Sequence, residues 1–74
     1  MSQLVRMDSS GHTTLAEWNV NDPESVEAAV AALRAELDQG YLAVVPTGPG
    51  SAEQVRDLPV EAPLVILRRP IAGG

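Results

Sequence analysis

Between Asn21 and Gly40 the chain has its one clear stretch of helical periodicity, and this divides everything else into strand-length pieces. Val26, Val30, Leu33 and Leu37 recur at spacings of four, three and four, with Ala29 in the same stripe. Asn21-Asp22-Pro23-Glu24 is a helix start: an Asx cap, Pro in the first turn, and Glu24 three residues after Asn21 to complete a capping box. Ala28, Ala31, Ala32 and Ala35 raise intrinsic propensity. Glu24 and Glu27 lie where the helix dipole favours negative charge, whereas Asp38 opposes it weakly at the other end. Gly40 stops the helix through a left-handed cap.

The flanking segments read as strands. Residues 3–8 and 12–20 carry β-branched, aromatic and alternating residues around Ser9-Ser10-Gly11, which predicts a hairpin with the glycine taking the positive φ. Arg6 and Glu17 interrupt those runs and are expected to face solvent at alternate positions. Tyr41 to Val45 is a short apolar strand stopped by Pro46, and Thr47-Gly48-Pro49-Gly50 is loop. Ser51 is expected to cap one helical turn over residues 52–58, with Val55 and Leu58 inward, and Pro59 and Pro63 bracket a further turn. Leu64-Val65-Ile66-Leu67 suits a strand buried on both faces.

This element order is most simply built as one mixed sheet of four to five strands with the helix across one face, an α+β arrangement. If the last strand lies in the middle, parallel to the first, its continuous apolar character is explained. That arrangement is a β-grasp. Residues 1–68 form the expected domain and residues 69–74 a flexible Gly-Gly tail.

Composition narrows the function. At 74 residues the chain has room for one small domain, and 45% hydrophobic content is too high for a disordered acidic tail. Ten acids against five arginines leave a charge of −5, the wrong sign for binding a phosphate backbone, so nucleic acid is not an expected partner. There is no cysteine, which removes disulfides, thiolate nucleophiles and cysteine zinc sites, and the single His12 cannot assemble a metal centre. The first residues lack the basic-then-apolar pattern of a secretory signal, and no apolar run reaches membrane-spanning length. A cytoplasmic protein without membrane or cofactor partners is expected.

No residue pattern points to catalysis. His12 has Asp8, Ser9, Ser10, Thr13 and Thr14 nearby, but these are the residues a tight turn uses for its own hydrogen bonds. Gly48-Pro49-Gly50-Ser51 lacks the spacing and the lysine of a phosphate-binding loop, and Pro49 removes an amide. Glu24, Glu27, Asp38, Glu53, Asp57 and Glu61 read as a solvated acidic surface. Trp18 and Tyr41, the only aromatics, are too few for a base-stacking platform; their strand positions favour core over the alternative of an exposed contact. The chain is therefore not expected to be an enzyme.

The end of the sequence differs from the rest. Residues 1–63 hold three arginines against ten acids, a balance of −7, whereas Arg68 and Arg69 are adjacent and have no acid after them. Pro70 favours an extended residue before it. Six residues from Arg69 span roughly 20 Å at about 3.3–3.6 Å each. Ile71 and Ala72 offer small apolar grips, and Gly73 and Gly74, lacking Cβ atoms, fit a channel too narrow for other residues. A carboxylate presented there is a poor acylating agent until attack on the α-phosphate of ATP converts it to an acyl-adenylate, and nothing in this chain binds ATP. The bland alternative is that the two glycines are simply a frayed end.

Leu67-Arg68-Arg69 followed by a diglycine resembles the ubiquitin-like β-grasp family, and Pro70-Ile71-Ala72-Gly73-Gly74 is similar to the ends of sulfur carriers of molybdopterin and thiazole synthesis. Residues 1–40 are more similar to single-domain bacterial ubiquitin-like proteins encoded beside E1- and E2-like enzymes. The resemblance implies activation of Gly74, with Gly73, by an E1-like adenylating enzyme that recognises Arg68, Arg69, Pro70, Ile71 and Ala72. It implies either a thioester and isopeptide route to a target protein, with an E2-like enzyme and a deconjugating peptidase, or a thiocarboxylate that donates sulfur. The absence of lysine excludes chains built through the modifier's own side-chain amines. The competing expectation is a non-covalent interaction module that uses the Arg34 side of the helix or an exposed sheet face.

Overall fold

The computed structural model describes residues 1–69. Five strands and one helix follow in the order β1 (Ser2–Asp8), β2 (Gly11–Trp18), α1 (Pro23–Asp38), β3 (Leu42–Gly48), β4 (Ser51–Val55) and β5 (Leu64–Arg68). They form an α+β fold with one mixed sheet in spatial order β2-β1-β5-β3-β4. The last strand is central, parallel to β1 and antiparallel to β3, an order compatible with a β-grasp.

The first hairpin closes through Ser9 and Ser10, with Gly11 at φ +129° opposite Asp8. The Asp8 carboxylate accepts from the Ser10 amide at 2.9 Å and its hydroxyl at 2.7 Å, an Asx-type closure. Register slips between Leu4 and Val5: Leu4 pairs with Ala16 but Val5 pairs with Thr14, leaving Leu15 as an extra residue on β2. This bulge lets Thr13, Ala16 and Trp18 share one face despite their mixed spacing. Strand β2 ends at Trp18 rather than running to Val20, which stands 53% exposed.

Helix α1 begins one residue later than a cap at Asn21 requires. Pro23 takes the first helical position, so the cap is Asp22, held extended (φ −124°, ψ 93°) as the residue before proline prefers. Its side chain makes no capping bond. Ser25 ties the entry instead: its hydroxyl accepts from the Asn19 amide at 3.0 Å and donates to the Asp22 carbonyl at 2.8 Å. At the far end Gly40 takes φ +97°, its amide donating to the Leu37 carbonyl and the Tyr41 amide to the Glu36 carbonyl. This is the Schellman closure expected of a glycine there.

Two expectations fail in the second half. Strand β3 passes through Pro46 and takes in Thr47 and Gly48, which the sequence assigns to the loop, and residues 51–55 form β4 instead of a helical turn. Pro46 is tolerated because β5 pairs with β3 only over Leu42–Val44, so from Val45 onward one side of β3 has no ladder to break. Pro49-Gly50, with Gly50 at φ +73°, is the residue pair of a tight turn and folds Ser51–Val55 back onto β3. Cross-strand pairing there outweighs the helix propensity of Ala52-Glu53-Gln54.

The core lies between α1 and one face of the sheet. Leu4, Trp18, Ala29, Leu33, Ala43, Val65 and Leu67 are at most 1% exposed. The Trp18 indole N–H donates to the Val60 carbonyl at 2.9 Å, tethering the link between β4 and β5, and Leu58 and Val60 from that link pack on the same cluster. The Ala62 amide returns to the Pro59 carbonyl, the turn expected between the two prolines. The Leu64–Leu67 run is buried fully on the helix side only. Val65 and Leu67 are inaccessible, but Leu64 and Ile66 are half-buried because a single helix covers a single face.

Candidate functional site

Two features of this scaffold offer contacts: the uncovered sheet face and the place where the chain leaves β5. Pairing defines the open face. Val5 is opposite Ile66 and Thr14, Met7 is opposite His12, Val44 is opposite Ile66, and Gln3 is opposite Leu64. Val5, Met7, Leu64 and Ile66 therefore form an apolar strip across the middle of the sheet, with His12 at its edge. Met7 is 47% exposed, and the strip continues into an open groove of about 540 Å³ that reaches Val44, Ala52, Arg68 and Arg69. The sequence named an exposed sheet face as a possible contact but not these residues. Their signal was the half of the Leu64–Leu67 run that one helix cannot cover.

The exit from β5 is built from charge. Arg68 ends the strand, exposed, in register with Leu42, and Arg69 follows, also exposed. The Arg69 guanidinium carbon stands 5.5 Å from the centre of the Tyr41 ring, and that of Arg6 stands 5.7 Å from it. Tyr41 is half-buried, just ahead of β3 rather than within it. Arg6 does not face open solvent as expected. It lies on the helix side of β1 and binds the Glu36 carboxylate at 2.9 Å, with the Glu36 side chain 9% exposed. Among the described residues no buried side-chain polar atom lacks a partner.

Asp8 borders the groove beside Arg69. Its carboxyl is held below its ordinary value, first by the Ser10 hydroxyl and then by the Ser10 amide. His12 sits exposed at the second position of β2, across from Met7. Trp18 is core, as expected. Among the described residues no three His, Asp or Glu side chains gather where they could hold a metal, and no helix is long and apolar enough to cross a membrane.

Of the expected activation and recognition residues, the structure places Arg68 and Arg69. Pro70, Ile71, Ala72, Gly73 and Gly74 lie outside the described residues. Comparison with known proteins gave no matching family model, no matching curated protein and no matching solved structure.

Proposed function

We propose that this chain is a ubiquitin-like β-grasp modifier that carries its reactive carboxylate at Gly74, whether the chain ends there or is cut there. One observation supports this reading above the others. Strand β5, paired on both sides by β1 and β3, leads directly through Arg68 and Arg69 toward the Gly73-Gly74 pair. A segment anchored in the central strand of a sheet is presented from a rigid base, which suits delivery into another protein's active site.

The chemistry belongs to that other protein. An E1-like enzyme binds ATP, the Gly74 carboxylate attacks the α-phosphate, and pyrophosphate leaves. A cysteine thiolate then displaces AMP to form a thioester. The amine of a target lysine displaces that thiolate, directly or after transfer to an E2-like enzyme, and forms an isopeptide bond. Arg68 to Ala72 are the recognition arm, and a peptidase that hydrolyses the isopeptide would return the carrier. The likeness of Pro70-Ile71-Ala72-Gly73-Gly74 to sulfur carriers supports a second route. In that route sulfide displaces AMP and leaves a thiocarboxylate.

Tryptic digestion tests the proposal. Trypsin cuts after Arg68 but not between Arg69 and Pro70, so a modified target lysine would carry Arg-Pro-Ile-Ala-Gly-Gly. Host proteins bearing that remnant, absent when Gly74 is deleted, are the expected result. One sulfur in place of one terminal oxygen on the free chain would move the assignment to sulfur transfer. Neither adduct, with unchanged biological activity after the deletion, would leave a non-covalent module acting through its open sheet face.

A further inference from the structure

Tyr41 is fixed from behind. Its amide donates to the Glu36 carbonyl at 3.1 Å, the closing bond of the helix cap, and its side chain packs against the core cluster. Arg6, on the same ring at 5.7 Å, is itself held by the Glu36 carboxylate at 2.9 Å. One glutamate thus secures Tyr41 through its backbone carbonyl and Arg6 through its side chain. Arg69 approaches this assembly from the other end of the chain, with its guanidinium 5.5 Å from the ring centre. Among the described residues Arg69 makes no ion pair, so the ring is its cation-binding contact.

We propose that Tyr41 is a positioning residue that seats the Arg69 guanidinium where the chain leaves β5 and so holds it for the enzyme that reads it. The inference rests on the modifier reading for its consequence, but not for the contact itself. On that reading Arg69 belongs to the recognition arm, so holding its guanidinium in one place fixes part of what the enzyme reads. An aromatic seat also does what a carboxylate could not. A guanidinium over a ring is attracted by the π-face while its in-plane N–H donors remain available to an acidic partner. Arg69 can then be oriented and still be read by an enzyme. The helix cap, the Arg6–Glu36 pair and the exit of β5 converge on one ring.

The experiment has two readouts. In the NMR spectrum of the full chain, the Arg69 side-chain protons should show an upfield ring-current shift and cross-peaks to the Tyr41 ring. Both should persist in Tyr41→Phe and vanish in Tyr41→Leu, which keeps apolar bulk. In adenylation by the cognate E1-like enzyme, Tyr41→Leu should raise KM for this protein about two- to fivefold with kcat unchanged, the size of an exposed cation–π contact. Tyr41→Phe should restore KM, and Tyr41→Leu combined with Arg69→Gln should cost no more than Arg69→Gln alone. Wild-type protein without the cross-peaks overturns the proposal and needs no folded variant. Cross-peaks lost in Tyr41→Leu with KM unmoved also overturn it, because the contact would then position nothing. If the wild-type chain is not adenylated at all, the modifier reading fails, while the spectra still decide whether Tyr41 seats Arg69.

Discussion

The two faces of the sheet are built from the same strands and have different fates. Along β5, Val65 and Leu67 point to the helix and are inaccessible, whereas Leu64 and Ile66 point away and are half-buried, and Arg68 is exposed. Burial stabilises only where something covers it, at about 25 cal/mol per Å² of apolar surface removed from water. The helix side therefore carries the stability of the fold. The open side has similar residue types under looser constraint, apart from Val5, which is 7% exposed between Ile66 and Thr14.

That contrast can be broken most severely at Trp18. Trp18→Ala removes the largest inaccessible side chain and the bond to Val60, at about 3–5 kcal/mol. A domain of this size has roughly 4–11 kcal/mol in total, so far-UV circular dichroism at 25 °C should show a largely unfolded or barely folded chain. The neighbouring pair Leu67 and Ile66 sharpens the comparison. Leu67→Ala should cost about 2–5 kcal/mol in urea denaturation, and Ile66→Ala about 1 kcal/mol, although one residue separates them. Equal costs would mean that the open face is as well packed as the other.

Glu36→Gln tests the charged edge of the covered face. It leaves Arg6 half-buried without its carboxylate and should cost about 1–2 kcal/mol, less than a fully buried pair because the Arg6 side chain keeps 32% exposure. The smallest effect lies at the Asp8 turn on the exposed rim. Its carboxyl is held below the ordinary value of an aspartate, so the folded state prefers the ionised form. Its contribution is complete above that value and is lost as pH falls through the lower folded value. Wild type and Asp8→Asn should therefore differ in thermal midpoint near neutrality and converge in acid. A gap that widens in acid would reverse the sign.

Much of the architecture was legible because its signals are local. The helical stripe with Pro23 and Gly40, the Ser9-Ser10-Gly11 turn, and the apolar run at Leu64 each specify an element from a few neighbouring residues. The central place of the last strand, parallel to the first, was one arrangement that the apolar run allowed, and it is the one observed, although the run is fully buried on one face only. What escaped was set by long-range pairing. Ser51–Val55 has helix-forming residues and becomes a strand because Pro49-Gly50 turns it onto β3. Pro46 stays in a strand because β5 stops pairing at Val44. Arg6 and Glu36 are 30 positions apart, so nothing near either residue announces their contact. In the candidate site, charge contrast singles out Arg68 and Arg69 in the sequence, but the contact of Tyr41 with Arg6 and Arg69 joins residues that meet only after folding.

The central claim is that the Gly74 carboxylate is a group another enzyme energises. ATP–pyrophosphate exchange, measured with the E1-like enzyme of the same cell and this chain as the varied component, tests it most directly. The account predicts exchange that saturates with the intact chain and disappears when Gly73 and Gly74 are removed, with the fold unchanged by circular dichroism. Exchange that ignores the deletion, or never depends on the chain, would contradict it.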